Sequence, residues 1–250
     1  EAGAGRCDMT PEAWEAFLHV HDGLPRQGPG APDDVHWVLE TVGLRGPLDV
    51  LDAGCGPGGD MVTLAEALPE ARVTGLDKTA SFIELAKQRL QTFGPRVTAQ
   101  VGDMAAPAGR FDLIWCAGAL YFLGVTEGLR GWHAALKQGG HVAFSEPVLL
   151  ETPASAAVRR FWEEYPQITD LKGIEDRVAE AGYTVLGHRM IVGAPWQAYY
   201  DPMQARIDNL RGHDNSPAVA AAIAENQTEI DRWRAARDQI AYALLIVTPT

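Results

Sequence analysis

From residue 48 onward, short apolar runs alternate with stretches whose apolar residues recur at helical spacing. Leu48–Asp52, Arg72–Asp77, Arg96–Val101, Phe111–Ala117 and Gly140–Glu146 read as strands, the fourth a continuous apolar run around Asp112. Asp60–Leu68, Ser81–Thr92 and Thr126–Lys137 read as the helices between them, with Ile83, Ala86 and Leu90 on one face of the second. This β-α-β-α alternation with short connections predicts an α/β fold, a parallel sheet with helices on both faces. Right-handed crossovers then bring the carboxyl ends of the strands, and the loops after them, to one edge.

Two further stretches flank this core. Thr10–His21 reads as a helix: Thr10 caps it, Pro11 suits its first position, and Trp14, Phe17 and Leu18 repeat at helical spacing. A Gly/Pro-rich loop, Asp22–Pro32, leads to a second helix over Asp33–Val42. Beyond the core, Lys172–Ala181 predicts a helix, and Tyr183–Val192 and Ala241–Thr248 predict strands. Between those strands lies an insert, Pro195–Gln239, too long for a plain connection and so expected to act as a lid or an interface. Trp196, Tyr199 and Tyr200 at its start either wall a substrate pocket or anchor its packing. Alanine-rich, charged Ala218–Arg237 suits an exposed helix or a homodimer contact. Residues 1–250 are thus expected to form one domain: a helical cap over 1–45, a core over 46–147 and a sheet completion over 148–250.

Composition narrows the partners. The formal net charge is -12 and no basic run exceeds Arg159-Arg160, which argues against a nucleic-acid surface, since such a surface needs clustered cations. No apolar run reaches membrane-spanning length, and Glu1–Gly5 has neither the basic nor the apolar region of a signal peptide. Cys7, Cys55 and Cys116 are odd in number and form no CxxC pair, so neither a disulfide framework nor a metal site is expected. A reducing, cytoplasmic setting is the simplest reading.

The chemistry concentrates after the first strand, in Asp52-Ala53-Gly54-Cys55-Gly56-Pro57-Gly58-Gly59. Glycines there let the backbone turn sharply and approach a ligand. The segment satisfies both D-x-G-x-G-x-G and G-x-G-x-x-G, and so does not separate S-adenosylmethionine from a dinucleotide. Asp77, followed by Lys78, ends the second strand where an acid accepts from both ribose hydroxyls, and both ligands offer that ribose. Gly102-Asp103-Met104 after the third strand adds an acid suited to an adenine amino group and a thioether suited to its ring.

Taken in order, Val50–Gly58, Leu76-Asp77, Gly102-Asp103-Met104, Phe111–Tyr121 and Leu136–Gly140 resemble the motif set of class I S-adenosylmethionine-dependent methyltransferases over roughly residues 48 to 147. The resemblance implies a Rossmann-like fold with a mostly parallel seven-stranded sheet, the N-terminal helical cap, and a helical insert before the last strand. It assigns the glycine loop, with Asp52, Gly54, Cys55, Gly56 and Gly58, to the methionine part of the cofactor. Asp77 falls to the ribose, Asp103 and Met104 to the adenine, and Cys116 and Gly118 to the methionine end. The loop Arg26-Gln27-Gly28-Pro29-Gly30 resembles a segment in a group of bacterial small-molecule methyltransferases, where the Arg26 fork suits the cofactor carboxylate.

The implied activity is methyl transfer to a small molecule, at oxygen or nitrogen ahead of carbon, with S-adenosylhomocysteine as product. Neither an N/D-P-P-Y segment nor a Pro-Cys nucleophile follows the fourth strand, which disfavours base methylation. Glu146 at the end of the fifth strand and Tyr121 past the fourth are the catalytic candidates, with His19 and His21 in the roof. Tyr121, Trp115 and Phe122 offer an aromatic face toward the sulfonium or a cationic acceptor. Two rivals stand beside this reading. A nicotinamide-dependent oxidoreductase shares the glycine loop and Asp77 but leaves Gly102-Asp103-Met104 unexplained; the other is a non-catalytic cofactor-binding protein on the same fold.

Overall fold

The computed structural model describes residues 9–213 and 216–250. Cys7 and the Glu1–Gly5 stretch read for a leader lie outside the described residues. The strands are β1 (Asp49–Ala53), β2 (Arg72–Asp77), β3 (Val97–Val101), β4 (Phe111–Ala117), β5 (Leu136–Leu149), β6 (Thr169–Asp170), β7 (Tyr183–Val192) and β8 (Ile240–Pro249). They form one sheet in the order β3-β2-β1-β4-β5-β8-β7, with β6 paired to β5 off that path. Strands β1 to β5 pair in parallel, and β8 runs antiparallel to both β5 and β7. The expectation of seven strands falls short by β6, a two-residue stub that no periodicity could reveal.

The helices are α1 (Pro11–His21), α2 (Pro32–Thr41), α3 (Gly59–Ala67), α4 (Ala80–Leu90), α5 (Val125–Trp132), α6 (Ala156–Phe161), α7 (Leu171–Glu180), α8 (Ala194–Arg211) and α9 (Pro217–Ala236). The two sheet faces carry different loads. Val50, Val73, Leu113 and Trp115 face a core built with Val38 of α2, Leu64 of α3, Ile83 of α4 and residues of α1, α8 and α9. Leu51, Leu76, Ile114 and Cys116 face the other way, onto Leu129 and Trp132 of α5 and Ile174 and Val178 of α7. This two-sided burial explains why β4 and β8 are apolar at nearly every position. Each fully buried side chain, such as Leu64 or Ile114, stabilises the fold by about 1.5–3 kcal/mol.

Because cap and insert lie on the same face, they meet: α9 packs on α1 and α6, and α8 packs on α1. The insert is a helical pair, and its opening aromatics are its anchor. Trp196 stacks edge-on against Tyr242 of β8 at 4.9 Å, Tyr200 lies 4.8 Å from Trp233 of α9, and the Trp196 indole donates to the Ile191 carbonyl. Trp196, Tyr199 and Tyr200 are all buried there. The inner side of α9, with Ile223, Ile230 and Trp233, is likewise buried, so Ala218–Arg237 is only half the exposed helix expected. Among the described residues, no helix is long and apolar enough to cross a membrane.

Candidate active site

The loops after β1, β2, β3 and β4 meet the inner side of α1 around a cleft of about 660 Å³, within the range of about 300–1,000 Å³ usual for small-molecule sites. Its floor is the glycine loop between β1 and α3. Gly54 (φ 80°), Gly56 (φ 50°) and Gly58 (φ 79°) all adopt the left-handed conformation that only glycine enters without strain. Closeness matters as much as conformation at Gly54, where a Cβ would stand 2.7 Å from the Ala119 Cβ and 3.3 Å from the Met104 sulfur. The turn is pinned to β2: Gly54 and Cys55 N–H donate to the Leu76 carbonyl at 2.8 and 3.0 Å.

Asp77, half-buried at the end of β2, accepts the Gly56 N–H at 2.9 Å on one oxygen and the Thr79 N–H at 2.8 Å on the other. A carboxylate offers about four acceptor positions, so each oxygen keeps one for a further donor.

Beneath the glycine loop lies a buried cluster of charge. Arg26 donates to both oxygens of Asp60, with Nη2 2.9 Å from Oδ2, and its Nε donates to the Gly28 carbonyl at 3.2 Å. Asp60 sits in the first turn of α3, where the helix dipole favours an anion, and also accepts the Trp115 indole N–H at 3.0 Å. Burial lowers the Arg26 pKa, and Asp60, with help from Asp52 and Asp34, more than reverses this. Asp52 is 2% exposed, and its Oδ2 has no hydrogen-bond partner. Burial, then the neighbouring Asp60 charge, holds its carboxyl well above the usual range.

The structure brings Arg26, Asp52, Gly54, Cys55, Gly56, Asp77, Lys78, Gly102, Met104, Gly118 and Tyr121 to the cleft wall. Four residues lie elsewhere. Gly58 turns away beneath α4, where a Cβ would stand 3.1 Å from that of Ala86. Asp103 is exposed at the rim, accepting the Ala105 N–H and lying 3.6 Å from Lys78. Cys116 is fully buried on the α5 and α7 side of the sheet. Glu146 is 0% exposed on that same side, where it accepts the Tyr165 hydroxyl at 2.5 Å and its Oε2 is without a partner. Burial raises its pKa to about 7, although Tyr165 and Arg177 pull the other way. Even so, a ring contact links this pair to the cleft: Tyr165 meets Tyr121 edge-on at 5.7 Å.

Other expectations move as well. Trp115 is buried against Asp60 and offers no face to the cleft. His19 is exposed, whereas His21 is buried between Gln27 Oε1 at 2.7 Å and Asn226 Oδ1 at 2.9 Å, tying α1, the cleft loop and α9 together. Asp112, with Asp49, grips Lys137 at the opposite end of the sheet. Cys55 and Cys116 are both free, and burial pushes both thiols up, so neither is a thiolate nucleophile. Asp60 was not singled out from the sequence; an acid in the first helical turn after a glycine loop was the available signal. Trp14, Phe17 and Leu18, read only as a helix face, line the cleft.

A family model described as a methyltransferase domain matches residues 50–140. The trans-aconitate 2-methyltransferase of Paracidovorax citrulli (strain AAC00-1) is 32% identical over 151 residues, which are 57% of this chain and 56% of that protein. Its namesake from Variovorax paradoxus (strain S110) is 33% identical over 196 residues, 75% of this chain and 70% of the relative. The matched part thus spans little more than half the length of the first of these relatives. Among solved structures, a SAM-dependent methyltransferase from Geobacter sulfurreducens in complex with S-adenosyl-L-homocysteine has a TM-score of 0.83 at 20% identity, covering 94% of this chain and 98% of that one.

The cleft fits S-adenosylmethionine on its own geometry. The partnerless, buried Asp52 oxygen asks for a cationic donor, and an amino-acid ammonium is one. Asp77 retains acceptor capacity for two hydroxyls. At Gly54 a Cβ would collide with Ala119 and approach Met104, both of which line the cleft, so only glycine lets the loop pack this closely under that wall.

Proposed function

We propose that this chain, which belongs to the class I S-adenosylmethionine-dependent methyltransferases, moves a methyl group from S-adenosylmethionine to a small-molecule acceptor at oxygen or nitrogen, forming the new C–O or C–N bond as the sulfonium C–S bond breaks, leaving S-adenosylhomocysteine and releasing the acceptor's proton to water. The observation that carries this reading is the convergence of the glycine loop, Asp77 and the partnerless Asp52 oxygen on one cleft. When bound, the cofactor supplies a methyl group already activated on a sulfonium, so the chain's task is alignment and exclusion of water. Positioning of this kind is worth about 7–11 kcal/mol of barrier.

In this reading Asp77 holds the ribose, Asp52 the ammonium and Met104 one side of the adenine. Arg26, braced by Asp60, turns its remaining N–H groups toward the methionine carboxylate. Gly118, with its N–H on the Ser145 hydroxyl at 2.7 Å, fixes the wall from which Tyr121 projects. Tyr121 is the candidate that meets the acceptor. Glu146 stands behind Tyr165 and holds that ring against Tyr121, and so serves as a positioning residue. The described residues work as one domain, the acidic balance points to small-molecule rather than nucleic-acid partners, and the three cysteines without a CxxC pair fit a reducing, cytoplasmic setting. A homodimer would use the outer side of α9, because the inner side is spent on α1 and α6.

Calorimetric titration with S-adenosylhomocysteine, and separately with NADH, tests the reading. The expected outcome is that S-adenosylhomocysteine binds and NADH does not, and that Asp77→Ala weakens binding about 10- to 100-fold through a lost charge-assisted hydrogen bond. Binding of NADH in its place would overturn the proposal. The relatives' names make trans-aconitate the first carboxylate acceptor to test.

A further inference from the structure

Charge is distributed unevenly along the cleft. Among the described residues, its charged lining is Asp52, Asp60, Asp77, Arg26 and Lys78. Both cations are engaged: Asp60 grips Arg26 through two oxygens, and Lys78 stands beside Asp103 at the ribose end. All five lie in the loop before α2, at the carboxyl ends of β1 and β2, in the residue after β2, or in the first turn of α3. The remaining wall is of another kind. Trp14 and Phe17 of α1 stack at 5.3 Å with their planes 13° apart. Tyr121 and Phe122, which follow β4, line the same cleft with ring centroids 4.1 Å apart. Leu18 and Leu123 complete this part, and Phe122 is 40% exposed, so part of the apolar surface faces solvent.

Resting on the methyl-transfer reading above, we propose that the acceptor is an uncharged, ring-bearing small molecule carrying a hydroxyl or amine nucleophile, and not a polycarboxylate of the trans-aconitate kind. Flat apolar rings match the Trp14–Phe17 stack and the Tyr121–Phe122 pair in shape and in burial of surface. A polycarboxylate would bring several anions into a cleft lined by three acids and two cations, of which Arg26 is paired with Asp60 and assigned to the cofactor carboxylate and Lys78 lies at the ribose end, away from the aromatic wall. Desolvating carboxylates without partners is costly, and like charges nearby add to the cost.

The test uses the full chain loaded with S-adenosylhomocysteine, titrated calorimetrically with 2-naphthol, with trans-aconitate and with phenethylamine, an aromatic cation. The expected result is binding of 2-naphthol, with trans-aconitate about 100-fold weaker for want of a charged partner. Trp14→Ala and Phe122→Ala each weaken 2-naphthol by about 10-fold, Trp14→Phe restores most of the loss, and S-adenosylhomocysteine affinity holds in all three. Turnover, followed by mass spectrometry of the methylated acceptor, ranks the ring-bearing hydroxyls and amines above trans-aconitate in kcat/KM. Trans-aconitate or phenethylamine binding as tightly as 2-naphthol overturns the proposal. So does 2-naphthol binding that neither alanine variant changes, or no 2-naphthol binding at millimolar concentration. Failure of the first loading step, with no S-adenosylhomocysteine bound, instead removes the methyl-transfer reading beneath it.

Discussion

Arg26 Nη2 lies 2.9 Å from Asp60 Oδ2, and that same oxygen accepts the Trp115 indole N–H at 3.0 Å. The two partners are not equivalent. Without Arg26, the buried carboxyls of Asp52 and Asp60 face each other with no cation between them. Without the Asp60 charge, Arg26 can turn to the open Asp52 oxygen. Arg26→Ala is therefore expected to cost about 3–5 kcal/mol in urea unfolding, the usual penalty for breaking a buried pair. Asp60→Asn, which still accepts from Trp115, costs less. A larger loss in Asp60→Asn would show that Trp115 and the helix terminus, not charge balance, hold the cluster.

Asp52→Asn separates stability from function. The native carboxyl is buried with a partnerless oxygen, and its pKa is raised chiefly by that burial. Replacing the carboxyl by an amide of the same shape removes its ionisation while keeping its burial, so the ligand-free protein should stay within about 1 kcal/mol of the native stability. S-Adenosylhomocysteine affinity should fall about 10- to 100-fold. Thermal melts with and without ligand measure both quantities. A destabilised ligand-free variant would mean that Asp52 already has a structural partner.

The cleft wall was legible in the sequence where local rules govern it. The glycine loop, Asp77 and Met104 all lie within a few residues of a strand end, and strand ends follow from periodicity. What escaped depends on distant pairing. His21 meets Asn226 across 205 positions, and nothing local to either announces it. Glu146 was placed at a strand end pointing to the cleft, but alternation along β5 turns it to the α7 side, with Phe144 and Val148. A one-residue change of face separates a catalytic wall from a buried pair. The aromatics of α8 were readable as either pocket or anchor. Only the position of Trp233 and Tyr242 beside them decides for anchor.

Gly54→Ala tests the floor of the cleft. A methyl there meets the Ala119 Cβ at 2.7 Å and forces a left-handed backbone on alanine. Backbone strain of about 1–2 kcal/mol and overpacking of about 1–3 kcal/mol should add. S-Adenosylhomocysteine binding should fall with stability. In the double variant Gly54→Ala/Ala119→Gly the steric part is relieved while the backbone part persists, so stability returns in part. Full recovery would assign the whole effect to crowding, and none would assign it to the backbone.

Glu146 gives the protein a pH-dependent stability of predictable sign. Its pKa rises from 4.5 to about 7 on folding, mainly through burial. The folded state then holds a proton that the unfolded state releases between those values. Stability from the neutral carboxyl is complete below the unfolded value and is lost as pH rises toward about 7, by roughly 3 kcal/mol in all. Glu146→Gln keeps an acceptor for the Tyr165 hydroxyl and carries no charge at any pH. The variant should match the native protein near the acidic end and exceed it at about pH 8, with the difference growing through the window between. Parallel urea titrations at several pH values measure this directly. If the Tyr165–Glu146 pair also positions Tyr121, Glu146→Gln alters acceptor KM while leaving S-adenosylhomocysteine affinity in place. A variant whose stability tracks the native protein at every pH would mean that Glu146 stays ionised in the fold, with a cation supplied to its free oxygen.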